Sequence, residues 1–198
     1  MKSLELLLTE HAPKFIDPLH EKKEIRGITF DERGQAWATD GIQLLRVKAY
    51  PEGATSEVRD SKGKKLNVEA LRLHHLVQED CPEVATLNVS ETMEACKMLR
   101  SVMKTAKVVD EVEFSMNEHG NLEISFYTEE VSGRYALGET EQIERTVSLE
   151  RFIRCLSVFE GLTDRVTLRV DSRRLGAVQL TAPGIVTVLM CIVPPHLA

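Results

Sequence analysis

The chain has 198 residues, 42% hydrophobic and 28% charged, with a formal net charge of −6. That apolar fraction excludes disorder and collagen-like repeats and suits one globular body or two small domains. The longest apolar run, Ile185 to Val193, is about half of the roughly 20 residues a membrane-crossing helix needs, and residues 1–8 carry a charge and no small-residue cleavage site, so neither a span nor a signal peptide is expected.

The first predicted element is a helix capped by Thr9 and running to about His20, with Pro13 near its first turn, where a missing N–H is tolerated. Strands are expected at 25–30, 35–39 and 43–50, separated by Asp31-Glu32-Arg33-Gly34 and Asp40-Gly41 turns. Asn67 is then placed to cap a helix from Val68 to about Val77, followed only by a short extended stretch at 79–84. Ser90 opens a longer helix over 91–107, with strands at 111–116, 122–128 and 133–137 behind it. Ser148 caps a third full helix, whose Leu149, Phe152, Ile153 and Leu156 fall at i, i+3, i+4 and i+7. Strands at 165–170, 177–181 and 186–193 close the chain, with a turn at 171–176. The last strand is apolar on both faces and so is expected to be covered on both.

One supersecondary unit is therefore written three times in full and once in stunted form. The unit is β-α-β-β-β, which predicts an α+β fold with helices on one face of antiparallel sheets. Pairing the units gives a domain A at 1–83, holding one full and one truncated unit, and a domain B at 84–198 holding two.

Charge is distributed unevenly along this pattern. Residues 95–107 hold Lys97, Arg100, Lys104 and Lys107 and no acid, whereas residues 108–144 hold ten acids against Arg134 alone. At about 100° per residue the four cations form one stripe roughly 80° wide, with Leu99, Val102, Met103 and Ala106 on the adjoining, sheet-facing side. Arg151 and Arg154 flank the apolar face of the third helix, Arg72 and His75 do the same in the stunted unit, and His11 and Lys14 belong to the first helix, with Lys22 and Lys23 just after it. Each stripe taken singly is what any solvated helix face shows. Agreement in sign across four helices of an acidic protein points instead to a phosphate-lined partner, contacted without base specificity. Exposed aromatics for stacking on single-stranded bases are missing from these helices, which favours duplex backbone.

Catalytic groupings are poor by comparison. His74 and His75, with Glu79, Asp80 and Cys81, form the one conceivable metal cluster, but adjacent helical histidines point about 100° apart and do not share an ion as an i, i+4 pair does. There is no Gly-rich phosphate loop before a helix and no nucleophile elbow, and Asp40 has the setting of a turn aspartate. Cys81, Cys96, Cys155 and Cys191 are scattered, with no Cys-x-x-Cys pair, which favours free thiols in the cytoplasm. No cofactor, no metal and no enzyme activity are expected.

Ala38-Thr39-Asp40-Gly41-Ile42-Gln43-Leu44 resembles the Ala-Thr-Asp-x-x-x-Leu hairpin of the bacterial sliding clamp, the beta subunit of DNA polymerase III. Residues 146–197 are similar to the last half-domain of that clamp, through the Val166-Thr167-Leu168-x-Val170-Asp171-Ser172 strand and turn and the closing Val193-Pro194-Pro195-His196-Leu197. The resemblance implies a DNA-clamp fold whose helices line a ring around duplex DNA, whose sheets form an acidic shell, and whose role is that of a processivity factor tethering the polymerase. It also implies a peptide pocket for polymerases and other clamp-binding-motif proteins, carried by position onto Thr39, Leu44, Cys191, Val193, Pro194 and Pro195, with a clamp loader as a further partner. Ile42 stands where those clamps often have histidine, and Pro195 where they often have methionine.

The chain is also shorter than the three-domain bacterial subunits, as a phage or mobile-element clamp would be. Six domains per ring imply a homotrimer of two-domain chains; dimer and monomer stay open because the unit at 67–84 is cut short. Two other readings stand beside this one: a clamp-like decoy or regulator that binds replication proteins without encircling DNA, and a metal-dependent enzyme using the His74 cluster.

Overall fold

The computed structural model describes residues 4–48, 55–141, 143–171 and 176–192. The chain forms two units, one of Met1–Glu79 with Pro183–Val188 and the other of Asp80–Ala182 with Leu189–Ala198. Among the described residues no helix is long and apolar enough to cross a membrane.

In the first unit Pro13 decides the form of the opening helix. It has no N–H to donate back to residue 9, so the ladder cannot continue as a regular α-helix through this point. A short α1, Leu4–Leu6, widens into a π turn at Leu7–His11, where the Ala12 N–H reaches back to Leu7 O, and then tightens into a 3₁₀ turn at Ala12–Phe15. Thr9 is inside this element rather than capping it: its hydroxyl donates to Glu5 O at 2.8 Å. The element ends at Phe15, well short of His20, and buries Leu7, His11, Ala12 and Phe15.

The strand expected at 25–30 is half 3₁₀ turn, Lys23–Arg26, and half β1, Ile28–Phe30. Gly27 separates them because nothing larger fits: a Cβ there would lie 2.6 Å from Arg59 O and 2.7 Å from Val58 Cγ1. β2, Gln35–Thr39, and β3, Gln43–Lys48, form an antiparallel hairpin; residues 49 and 50 of the predicted strand lie outside the described residues. β4, Glu57–Arg59, and β5, Lys65–Leu66, form a further hairpin that no sequence pattern announced, giving the order β5-β4-β1-β2-β3. Residues 183–188 return to this unit, where Lys48 N–H donates to Gly184 O at 2.8 Å.

The helix expected over 68–77 does not form. A single 3₁₀ turn, His74–Leu76, is its only helical part, and of its apolar residues only Leu73 and Val77 are buried. Two buried positions four apart are too small a face to offset the cost of nucleating a helix, whatever the capping signal at Asn67.

In the second unit β6, Glu83–Asn88, runs directly into α2, Val89–Ala106. Asn88, two residues ahead of Ser90, is the cap: its Oδ1 accepts from Glu91 N–H at 3.1 Å. Lys107 ends the helix in the left-handed region at φ 54°, with its own N–H returning to Lys104 O and Val108 N–H to Met103 O. Four strands follow: β7, Val112–Met116; β8, Asn121–Tyr127; β9, Ser132–Glu139; and β10, Glu144–Val147, in the antiparallel order β10-β7-β8-β9. Val112, Phe114, Leu122, Ile124 and Phe126 alternate onto the buried face, opposite Glu113, Ser115, Glu123 and Ser125.

α3, Leu149–Ser157, begins at Ser148 as its pattern predicts, the serine hydroxyl accepting from Arg151 N–H at 3.2 Å. Its Phe152 meets Phe114 edge to face, ring centroids 4.8 Å apart. β11, Arg165–Val170, pairs with β6 on one side and β12, Ala177–Ala182, on the other. Residues 172–175 of the predicted turn lie outside the described residues. The last strand, β13, Ile185–Met190, buries Val186 to Leu189 in succession, the polar Thr187 included, as a strand covered on both faces does; residue 193 is outside the described residues.

Candidate nucleic-acid interface

α2 presents a buried side, comprising Val89, Thr92, Met93, Ala95, Cys96, Leu99 and Met103, and an open side. Of the four apolar residues assigned to the sheet-facing side, Leu99 and Met103 are buried and Ala106 is half-buried, but Val102 is 43% exposed. Val102 sits with Met98 one turn away on the solvent side, beyond the arc that the sheet can cover. Lys97, Lys104 and Lys107 are exposed and Arg100 is half-buried. Lys107, in its left-handed cap position, departs from the regular helical stripe.

The two N-terminal cations of this stripe are ion-paired. Lys97 Nζ lies 3.5 Å from Glu160, and Arg100 lies 3.4 Å from Glu150 of α3. No carboxylate lies within 4.0 Å of Lys104 or Lys107 among the described residues. Positive charge is therefore graded along the helix, matched by acid at one end and open at the other, where it also complements the helix dipole. Glu150 and Glu160 were not singled out from sequence; they are ordinary acids on and after α3, and only the packing of α3 beside α2 gives them partners. A cleft of about 430 Å³ opens at the same place, lined by Ser90, Met93, Glu94, Lys97, Met98, Ser101 and Glu160.

Arg151 and Arg154 are half-buried on α3, flanking its apolar face. The remaining predicted cations are not on α-helices. Lys14 is exposed in the 3₁₀ turn, Lys22 and Lys23 are exposed where the next 3₁₀ turn begins, and Arg72 is exposed in irregular chain. His11 is buried rather than edge-lying. Agreement across four helices thus reduces to two true α-helices, both in the second unit, because Pro13 breaks the first helix and residues 68–77 lack an apolar stripe.

The hairpin residues Thr39 and Leu44 are buried in the first unit. Asp40 is a turn aspartate: its Oδ1 accepts from Ile42 N–H and Gln43 N–H, both at 2.9 Å, while Thr39 Oγ1 accepts from Gly41 N–H and donates to Gln43 O. Cys191, in the second unit, is half-buried, and burial pushes its thiol up to about 11. Val193, Pro194 and Pro195 lie outside the described residues. His74 and His75 meet edge to face with centroids 6.0 Å apart, and among the described residues no three potential metal ligands converge.

No family model matches the sequence, and no curated protein matches it. Solved structures do. The DNA polymerase sliding clamp from Bacillus subtilis superposes with a TM-score of 0.78 at 15% identity, covering 96% of this chain and 63% of that one. The Helicobacter pylori beta clamp bound to DNA ligase peptide gives 0.74 at 13% identity, covering 98% and 64%. A putative DNA polymerase III beta subunit from Eubacterium rectale gives 0.79 at 10% identity, covering 96% and 63%. The chain thus spans less than two thirds of the length of these clamps while nearly all of it superposes on them. The α+β arrangement of antiparallel sheets and few helices described above is the fold of the bacterial DNA polymerase III beta-subunit sliding clamps.

Proposed function

We propose that the chain is a non-catalytic DNA polymerase processivity factor of the cytoplasm, a sliding clamp that encircles duplex DNA as a homo-oligomer and tethers a polymerase through a short linear peptide. The observation that carries this reading is the basic side of α2: Lys97, Arg100, Lys104 and Lys107 gathered on one helix of a chain whose net charge is −6. Phosphate contacts from such a side position a duplex without reading its bases. Arg151 and Arg154 extend it, and Lys14, Lys22, Lys23 and Arg72 supply the equivalent charge in domain A, taken as 1–83 against 84–198 for domain B. Three copies complete a ring of six domains, loaded by a clamp loader. The residues that the clamp resemblance assigns to peptide binding are Thr39, Leu44, Cys191, Val193, Pro194 and Pro195.

Replacing Lys97, Arg100, Lys104 and Lys107 together by Glu should abolish stimulation of processive synthesis on primed circular DNA while the circular dichroism spectrum stays that of the parent. Full stimulation by the folded quadruple variant would refute the reading. A specific observation favours a second one, the clamp-like decoy that binds replication proteins without closing on DNA: with the opening helix broken at Pro13 and no α-helix over 68–77, the first unit presents neither of the two full α-helices that its sequence pattern suggests. Light scattering across a concentration series separates the two, a monomer at high concentration favouring the decoy.

A further inference from the structure

Resting on the DNA-encircling reading, we infer that Glu150 and Glu160 are built-in competitors of the DNA backbone, occupying Arg100 and Lys97 until a phosphate displaces them and so keeping the grip of α2 shallow. The geometry suits exchange rather than permanent pairing. Both separations, 3.4 and 3.5 Å, are longer than the roughly 2.7–2.9 Å of a tight charge-assisted hydrogen bond. The Glu150 and Glu160 side chains are 52% and 43% exposed, so water and ions reach them.

Arg169 of the same unit shows the contrasting arrangement: it pairs with Glu83 and also donates to Cys81 O at 2.9 Å, which commits it to the fold. Lys97 and Arg100 have one carboxylate each among the described residues. A phosphate that takes either cation must break an existing pair, and a carboxylate then stands close to the phosphate. Each such contact gains less than one to Lys104 or Lys107. A surface that has to release every phosphate as it moves along a duplex works better with contacts of this kind than with deep ones.

The test compares the full chain, Glu150→Gln with Glu160→Gln, and the four-site Glu variant on a fluorescein-labelled 30-base-pair duplex of arbitrary sequence, by anisotropy from 25 to 200 mM salt. The double Gln variant should bind roughly two- to thirtyfold more tightly at the lowest salt, since each of the two exposed pairs resists exchange by about 1.4- to 5-fold. Its salt dependence should steepen as two more cations become available to phosphate. Unchanged affinity in the double variant, with binding abolished in the four-site variant, overturns this inference and leaves the DNA reading standing. Undiminished binding by the four-site variant, or no binding by either the parent or the double variant at 25 mM salt, overturns both. If the two acids serve only to hold α3 against α2, the double variant will melt at lower temperature with its salt dependence unmoved, which also refutes the proposal.

Discussion

Asp110 reaches across forty residues to hold the start of α3, and its removal is the sharpest local test of how this unit is built. Its Oδ2 accepts from the Ser148 hydroxyl at 2.5 Å, and its two oxygens lie 3.1 and 3.2 Å from Glu150 N. Ser148 Oγ in turn accepts from Arg151 N–H, so one carboxylate fixes the cap hydroxyl and satisfies a second orphan donor directly. Losing a cap costs about 1 kcal/mol, and losing a negative charge beside a helix N-terminus costs about 0.3–1 kcal/mol at an exposed site. Asp110→Ala should therefore destabilise the chain by about 1.3–2 kcal/mol. Asp110→Asn keeps an acceptor but no charge, and should cost about 0.3–1 kcal/mol. Urea unfolding followed by far-ultraviolet circular dichroism measures this as a lower midpoint at unchanged slope. A double-mutant cycle with Ser148→Ala should show a coupling of about 0.5 kcal/mol or more, because the Ser148 hydroxyl is itself one of the donors to Asp110. An Asp110→Ala midpoint equal to that of the parent, or strict additivity with Ser148→Ala, would refute the relay.

Gly133→Ala should destabilise by about 1–3 kcal/mol, as overpacking does, although removing a glycine from a strand ordinarily helps; the new Cβ would lie 2.6 Å from Phe126 Cε1 and 3.0 Å from Leu99 Cδ2, and a raised melting temperature would show that β9 stands further from α2. Burial raises the Cys96 thiol to about 12 and that of Cys191 to about 11, so both are protonated at pH 8. Iodoacetamide at that pH should modify Cys191 roughly 200-fold more slowly than a free cysteine with a pKa near 8.5, and the rate should climb with pH up to about 11; mass spectrometry showing fast labelling of either thiol in the folded chain would contradict their burial.

Where the sequence was informative, several independent signals agreed at one place. Strands β2 and β11 match their expected limits to the residue: β2 is bracketed by the turn residues at 31–34 and 40–41, and β11 combines alternating burial with the β-branched Val166, Thr167 and Val170. Ser148 was legible as a cap because a full i, i+3, i+4, i+7 stripe follows it. Asn67 offered the same cap without the stripe, and no helix formed. At Asn88 the error had another origin: Asn88 and Ser90 are both good caps, and the choice was made by where β6 ends, a fact of strand pairing. The hairpin of β4 and β5 was illegible because its strands are three and two residues long, too short for any period to show. The cations of α2 were visible as a stripe, whereas Glu150 and Glu160, which decide how much of that charge is available, were not, since their partners come from a different helix.

The return of residues 183–188 to the first unit has a consequence for synthesis of the chain. The ribosome releases residues 1–79 long before it releases the segment that hydrogen-bonds to the end of β3. Until then that edge of the sheet, with Leu44, Leu45 and Val47 beside it, has no strand to pair with, and an unpaired apolar edge is the kind of surface on which nascent chains aggregate. The usual order of domain-by-domain folding from the N-terminus is closed to this chain: its first unit is completed last. A chain stopped anywhere before residue 183 is thus expected to lose more than the piece removed, and a stalled or truncated product becomes a substrate for chaperones and proteases rather than a working half.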